Sequence, residues 1–335
     1  MRITRNLLLE TAHNHVKSLT FNNPDIACVF LIGSLVEEDS FLGDATDIDL
    51  VFIHNTEPAS PREVVPVTDD FHFDILHLPR RTFSQPKELR HDPWLGCLFC
   101  EKPFVFFDSY HFFDFIRAGV FSNFFSPTNL YARSQFFYTQ AREGLSKLQR
   151  EDGGFTIDAA YEFLHVLWNA GNTIACLVGK PTPERSFLSK LENVTSYLGR
   201  PGLASGLRDM YGLDAYTDFT WEDWFQPLST AFSLLSEKPY CPPQLSPPRL
   251  KYFTSAISFY QTERPDEALW LLLWTWTNVV HALPRRIPEV KDWKNFLEYI
   301  NLTSDSFSQK IQLLDTYLDA LNETSEEWKK VSGLI

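Results

Sequence analysis

From Ala27 to Ile53 the chain reads as an apolar run, a Gly33-Ser34 pair, a twelve-residue spacer and Asp47-Ile48-Asp49 leading a second apolar run. Ala27 to Ile32 is short and rich in Val29, Leu31 and Ile32, which predicts a buried strand. Gly33 at its end lets the backbone turn sharply and lets a ligand approach the main chain. Leu50 to Ile53 predicts a second strand. Asp47 and Asp49 stand two apart as it begins, so extended backbone turns both carboxylates to one side. Two like charges held that close need a cation between them, and a hard, oxygen-seeking ion such as Mg²⁺ is the natural occupant.

Phe71 to Leu78 predicts another strand, with Asp74 as its acid. Paired beside the Asp47–Leu50 strand, it would bring three carboxylates to one place. Such a cluster can hold two metal ions roughly 4 Å apart across a phosphoryl group undergoing in-line displacement.

Gly-Ser, a spacer of about a dozen residues, Asp-x-Asp before an apolar strand and a later strand Asp together resemble the nucleotidyltransferase superfamily, which has the DNA polymerase beta-like fold. The aminoglycoside (kanamycin) and minimal nucleotidyltransferase branches are the nearest in pattern. The resemblance implies that Gly33 and Ser34 grip the triphosphate, Asp47 and Asp49 hold both Mg²⁺ ions, and Asp74 holds the catalytic one. Here the spacer carries Glu37, Glu38, Asp39 and Asp44 with no Lys or Arg. The triphosphate charge must therefore be met by metal, backbone amides and a cation from elsewhere.

A chain of 335 residues is long enough for two or three domains. Its net charge of -13 argues against general nucleic-acid binding, which needs a basic face; such charge draws a cationic substrate, and keeping the protein in solution is the competing reading. Cys28, Cys97, Cys100, Cys176 and Cys241 are scattered and odd in number, which suits a reducing cytoplasm rather than a disulfide framework. Cys97-x-x-Cys100 reads as two core thiols in an apolar segment, with zinc or redox use as the alternative. The first residues lack a signal-peptide core, and no apolar run reaches the ~18 residues of a membrane span. A soluble, cytoplasmic protein is expected.

The predicted fold class is α+β: an N-terminal mixed sheet with flanking helices over 1–125, then an all-α region. Residues 1–20 show helical spacing, 55–66 read as a loop, and 103–108 predict a further strand ending at Asp108. The Phe-rich stretch from Phe112 to Phe125 is expected to pack as core. Residues 126–238 predict a helical bundle completing the site, 239–248 a Pro-rich linker, and 249–335 an additional helical region.

On the first helix of that region Glu143 and Lys147 stand four apart on one face. Helix, Gly-Gly break, apolar helix and Pro/Thr-rich turn are similar to the helical domain of kanamycin nucleotidyltransferase-like enzymes. The resemblance makes Glu143 the base for the acceptor hydroxyl and Lys147 a cation for the triphosphate. An ordinary exposed Glu–Lys pair is the competing reading. Lys180, Arg185 and Lys190 are weaker phosphate candidates, and His165 and His281 read as core or interface residues.

The expected function is Mg²⁺-dependent transfer of NMP from NTP to a hydroxyl of an aminoglycoside-like small molecule, releasing pyrophosphate. The alternatives are an antitoxin-like enzyme modifying a protein or tRNA end, and a nucleotide-binding regulator without turnover. Related two-domain enzymes often build the site between subunits, so the resemblance also leaves room for a homodimer.

Overall fold

The structure, a computed structural model, describes residues 3–36, 43–100, 104–150, 155–212, 220–302 and 304–334. The spacer acids Glu37, Glu38 and Asp39 and the Gly153-Gly154 break lie outside the described residues. The chain divides into two compact units, Met1–Phe125 and Ser126–Ile335.

The first unit is built on a five-stranded mixed sheet. Its strands are β1 (Ile26–Leu31), β2 (Thr46–His54), β3 (Arg62–Pro66), β4 (Phe71–Pro79) and β5 (Phe104–Asp108). They lie in the order β3-β4-β2-β1-β5, with β2 and β4 parallel and the other pairs antiparallel. Helix α1 (Arg5–Thr20) starts at Thr4, whose hydroxyl accepts from Leu7 N. Leu8, Ala12 and Val16 recur at helical spacing and cover one sheet face, over Ile48, Leu50, Phe52, Phe73 and Ile75. Helix α2 (Phe112–Phe124) serves the other face, where Cys28, Phe30, Val51 and Ile53 meet Phe112, Phe113, Ile116 and Val120. Side chains alternate across a strand, so Asp47 and Asp49 belong to the α2 side of β2 together with Val51 and Ile53.

Residues 55–66 were expected to form a loop, yet Arg62–Pro66 forms the edge strand β3. Pro66 ends it, and an edge position tolerates the missing N–H. The Phe-rich stretch is core only in part: Phe112, Phe113 and Phe124 are buried, whereas Phe115, Phe121 and Phe125 are exposed. Asp108 ends β5 and accepts from Phe113 N in the first turn of α2.

The second unit is helical: α3 (Pro127–Arg150), α4 (Ile157–Val178), α5 (Phe187–Tyr197), α6 (Gly202–Met210), α7 (Glu222–Ser236), α8 (Pro248–Glu263), α9 (Pro265–Ala282), α10 (Pro288–Tyr299) and α11 (Ser304–Val331). Proline opens α3, α8, α9 and α10, where its fixed φ suits the first turn and its missing N–H is no loss. Helix α9 is the central element, with Ala268 to Leu273 fully buried. Residues 239–248 connect helices inside this one unit rather than dividing it. Among the described residues, no helix is long and apolar enough to cross a membrane.

Candidate metal centre on the sheet

The parallel register of β2 and β4 places Asp49 opposite Asp74 and Asp47 opposite His72. Residues opposite one another in a sheet point to the same face, so all three carboxylates face the α2 side. A ligand oxygen from each of Asp47, Asp49 and Asp74 lies within 4.8 Å of the other two. Asp47 and Asp74 are 3% and 4% exposed, so this is a buried cluster rather than a solvated acidic face. Three oxygen donors of this type suit a hard divalent cation. The donor set could hold a metal ion.

Gly33 supplies the fourth wall. Its φ of +75° lies in the left-handed region that side chains disfavour. A Cβ at this position would stand 2.0 Å from Asp49 Oδ2, so the carboxylate rests directly against the glycine backbone. Ile32 N donates to the Asp49 carbonyl at 3.0 Å, tying the end of β1 to the start of β2. Ser34 then opens a single tight turn, Ser34–Val36, closed by Val36 N donating to Gly33 O at 3.2 Å. The two halves of the motif, twelve residues apart in sequence, are neighbours in space.

The cluster contains a cation that the sequence reading missed. Arg62 on β3 donates from Nε to Asp74 Oδ1 at 2.7 Å and from Nη2 to Asp74 Oδ2 at 2.6 Å. It was overlooked because residues 55–66 read as irregular. The signal available was Arg62-Glu63-Val64-Val65, a short β-prone run between Pro61 and Pro66.

The remaining candidates lie in the helical unit. Glu143 is exposed on α3 and accepts from Gln140 Nε2 at 3.4 Å. Lys147, also exposed, reaches Glu162 of α4 at 3.3 Å, a surface pair worth ~0.5 kcal/mol. Arg185 is buried with its guanidinium 3.7 Å from the Tyr252 ring centroid. Lys190 is exposed. His165 and His281 flank Tyr161, with ring centroids at 4.2 and 3.9 Å, and burial lowers the pKa of both. Cys97 and Cys100 pack against the core beneath α2.

No family model matches this chain, and no curated protein matches it closely enough to count as a relative.

Proposed function

We propose that the protein is a divalent-metal-dependent nucleotidyltransferase of the DNA polymerase beta-like superfamily. It transfers NMP from NTP to a hydroxyl of a small cationic acceptor of the aminoglycoside kind. The observation that carries this reading is the convergence of Asp47, Asp49 and Asp74 within 4.8 Å, against a left-handed Gly33. Strand-borne acids on adjacent parallel strands form a rigid donor set, as metal-assisted phosphoryl chemistry requires.

Asp47 and Asp49 would hold both ions and Asp74 would join them at the catalytic one, the roles the resemblance implies. A bound divalent ion supplies charge neutralisation at the phosphoryl oxygens and the leaving pyrophosphate. Gly33 keeps the backbone clear of side-chain bulk, and the Ser34 hydroxyl is the donor offered to the triphosphate. The resemblance gives the base to Glu143 and a phosphate cation to Lys147. A net charge of -13 favours a cationic acceptor over a polyanionic one.

The test is incubation of the purified protein with α-labelled ATP or GTP, Mg²⁺ and a panel of aminoglycosides, beside Asp47→Asn and Glu143→Gln. Label on an aminoglycoside, lost in Asp47→Asn, is the expected result. Label on the protein itself moves the acceptor to a protein hydroxyl. Mg²⁺-dependent NTP binding without transfer to any acceptor supports the regulatory alternative and overturns the enzyme reading.

A further inference from the structure

Arg62 and Asp74 form a fork that occupies both oxygens of the third carboxylate. In the antiparallel register of β3 and β4, Val64 stands opposite Asp74 and Arg62 opposite Leu76. Arg62 and Asp74 are therefore diagonal neighbours on one face, within reach of a long side chain. The Asp74 side chain is 3% exposed and that of Arg62 31%, so the guanidinium reaches in from the rim while keeping a route to solvent. Guanidinium stays charged at every working pH, and its planar donors match a carboxylate bidentately.

We propose that Arg62 is a built-in cation of this cluster and competes with a divalent ion for Asp74. Without metal, the fork supplies positive charge to three crowded carboxylates. An ion shared by all three acids needs electron pairs from Asp74, the group Arg62 already engages at 2.6 and 2.7 Å. Binding through Asp74 sets the ion's charge against the guanidinium at one carboxylate, and that repulsion loosens the fork. Apparent metal affinity is lowered by the fraction of molecules in which the fork is closed. Arg62 is a positioning residue that sets how tightly, and so at what ion concentration, the third carboxylate joins the metal. This rests on the reading of Asp47, Asp49 and Asp74 as a metal site, but not on any particular acceptor.

The experiment is Mn²⁺ titration of the full-length protein, followed by electron paramagnetic resonance and calorimetry, with no nucleotide present. Wild type is compared with Arg62→Gln, Arg62→Lys, Asp74→Asn and Asp47→Asn, each checked for wild-type secondary structure by circular dichroism. Arg62→Gln is expected to bind Mn²⁺ about ten-fold more tightly, as the competing charge-assisted fork is gone. Its thermal midpoint in EDTA should fall, since the crowded acids lose a counter-charge. Arg62→Lys keeps the charge without the fork and should lie between the two. If both Arg62 variants bind Mn²⁺ as wild type does, or more weakly, competition is wrong while the metal site stands. If neither wild type nor either Arg62 variant binds Mn²⁺, the metal-site reading fails and the Arg62 proposal with it.

Discussion

The two units bury carboxylates on opposite principles. In the helical unit Glu267 is fully buried, yet its oxygens accept from Leu188 N and Ser189 N at 2.9 and 2.6 Å, in the first turn of α5. Beside it, Asp266 lies between Arg264 and Arg208, which themselves reach Glu192. Opposite charges and helix-end donors alternate there, and the two N–H groups offset part of the burial that raises the Glu267 pKa. In the sheet unit Asp47, Asp49 and Asp74 are gathered against one another. Like charges at that spacing repel one another, and a cation among them offsets the repulsion. The buried acids of the helical unit are met by N–H groups and guanidinium groups, whereas in the sheet unit three acids converge and Arg62 meets one of them, Asp74.

That contrast can be broken most directly at Asp47. Asp47→Asn should reduce NMP transfer about a thousand-fold, while the thermal midpoint measured in EDTA stays level or rises as repulsion is relieved. A loss of stability would place Asp47 with the buried acids of the helical unit. Glu267→Ala should do the reverse. Two N–H groups at the start of α5 lose a charged acceptor, and urea denaturation should show a loss of about 3 kcal/mol.

The helical unit also holds a base kept neutral by burial. His165 is pushed down to about 4, chiefly by burial among neighbours that include Tyr161 and Trp274. The unfolded chain binds this proton near the ordinary 6.5 and the folded chain only near 4, so its cost is absent above pH 6.5. Stability should fall as pH drops from 6.5 to about 4, by about 3 kcal/mol in full, and then level off. Denaturation curves of His165→Phe should lack this segment of the pH profile.

Gly33→Ala sharpens the sheet side. A methyl 2.0 Å from Asp49 Oδ2 at a φ of +75° should cost about 2 kcal/mol and abolish Mn²⁺ binding in the same titration. Lys147→Ala has the smallest expected effect on stability, ~0.5 kcal/mol, because its partner Glu162 is met at the surface. A much larger fall in label transfer would show that the surface pair conceals a phosphate contact.

Much of the sheet unit was legible before any coordinates, because short apolar runs ended by Gly33, or opened by Asp47 and Asp49, admit few alternatives to strands. The two-residue spacing of Asp47 and Asp49 fixed their common face through the pleat alone. Edge strand β3 was not legible, since Pro61, Pro66 and mixed polarity look like a loop until β4 supplies a partner. Arg62 was hidden for the same reason. Helix positions around Glu143 and Lys147 were read from periodicity, but periodicity says nothing of what a surface side chain meets, and Glu162 comes from a different helix.

What the sequence determined by itself was local: strand and helix periods, the sharp turn at Gly33 and the common face of Asp47 and Asp49. Only the tertiary structure decided that Asp74 joins them, because the parallel β2–β4 register is set by side-chain packing on both sheet faces. It also decided that Arg62 reaches Asp74, a contact across twelve residues that depends on one diagonal step between neighbouring strands. Backbone geometry and spacing are properties of a segment; register and counter-charge are properties of what that segment is packed against.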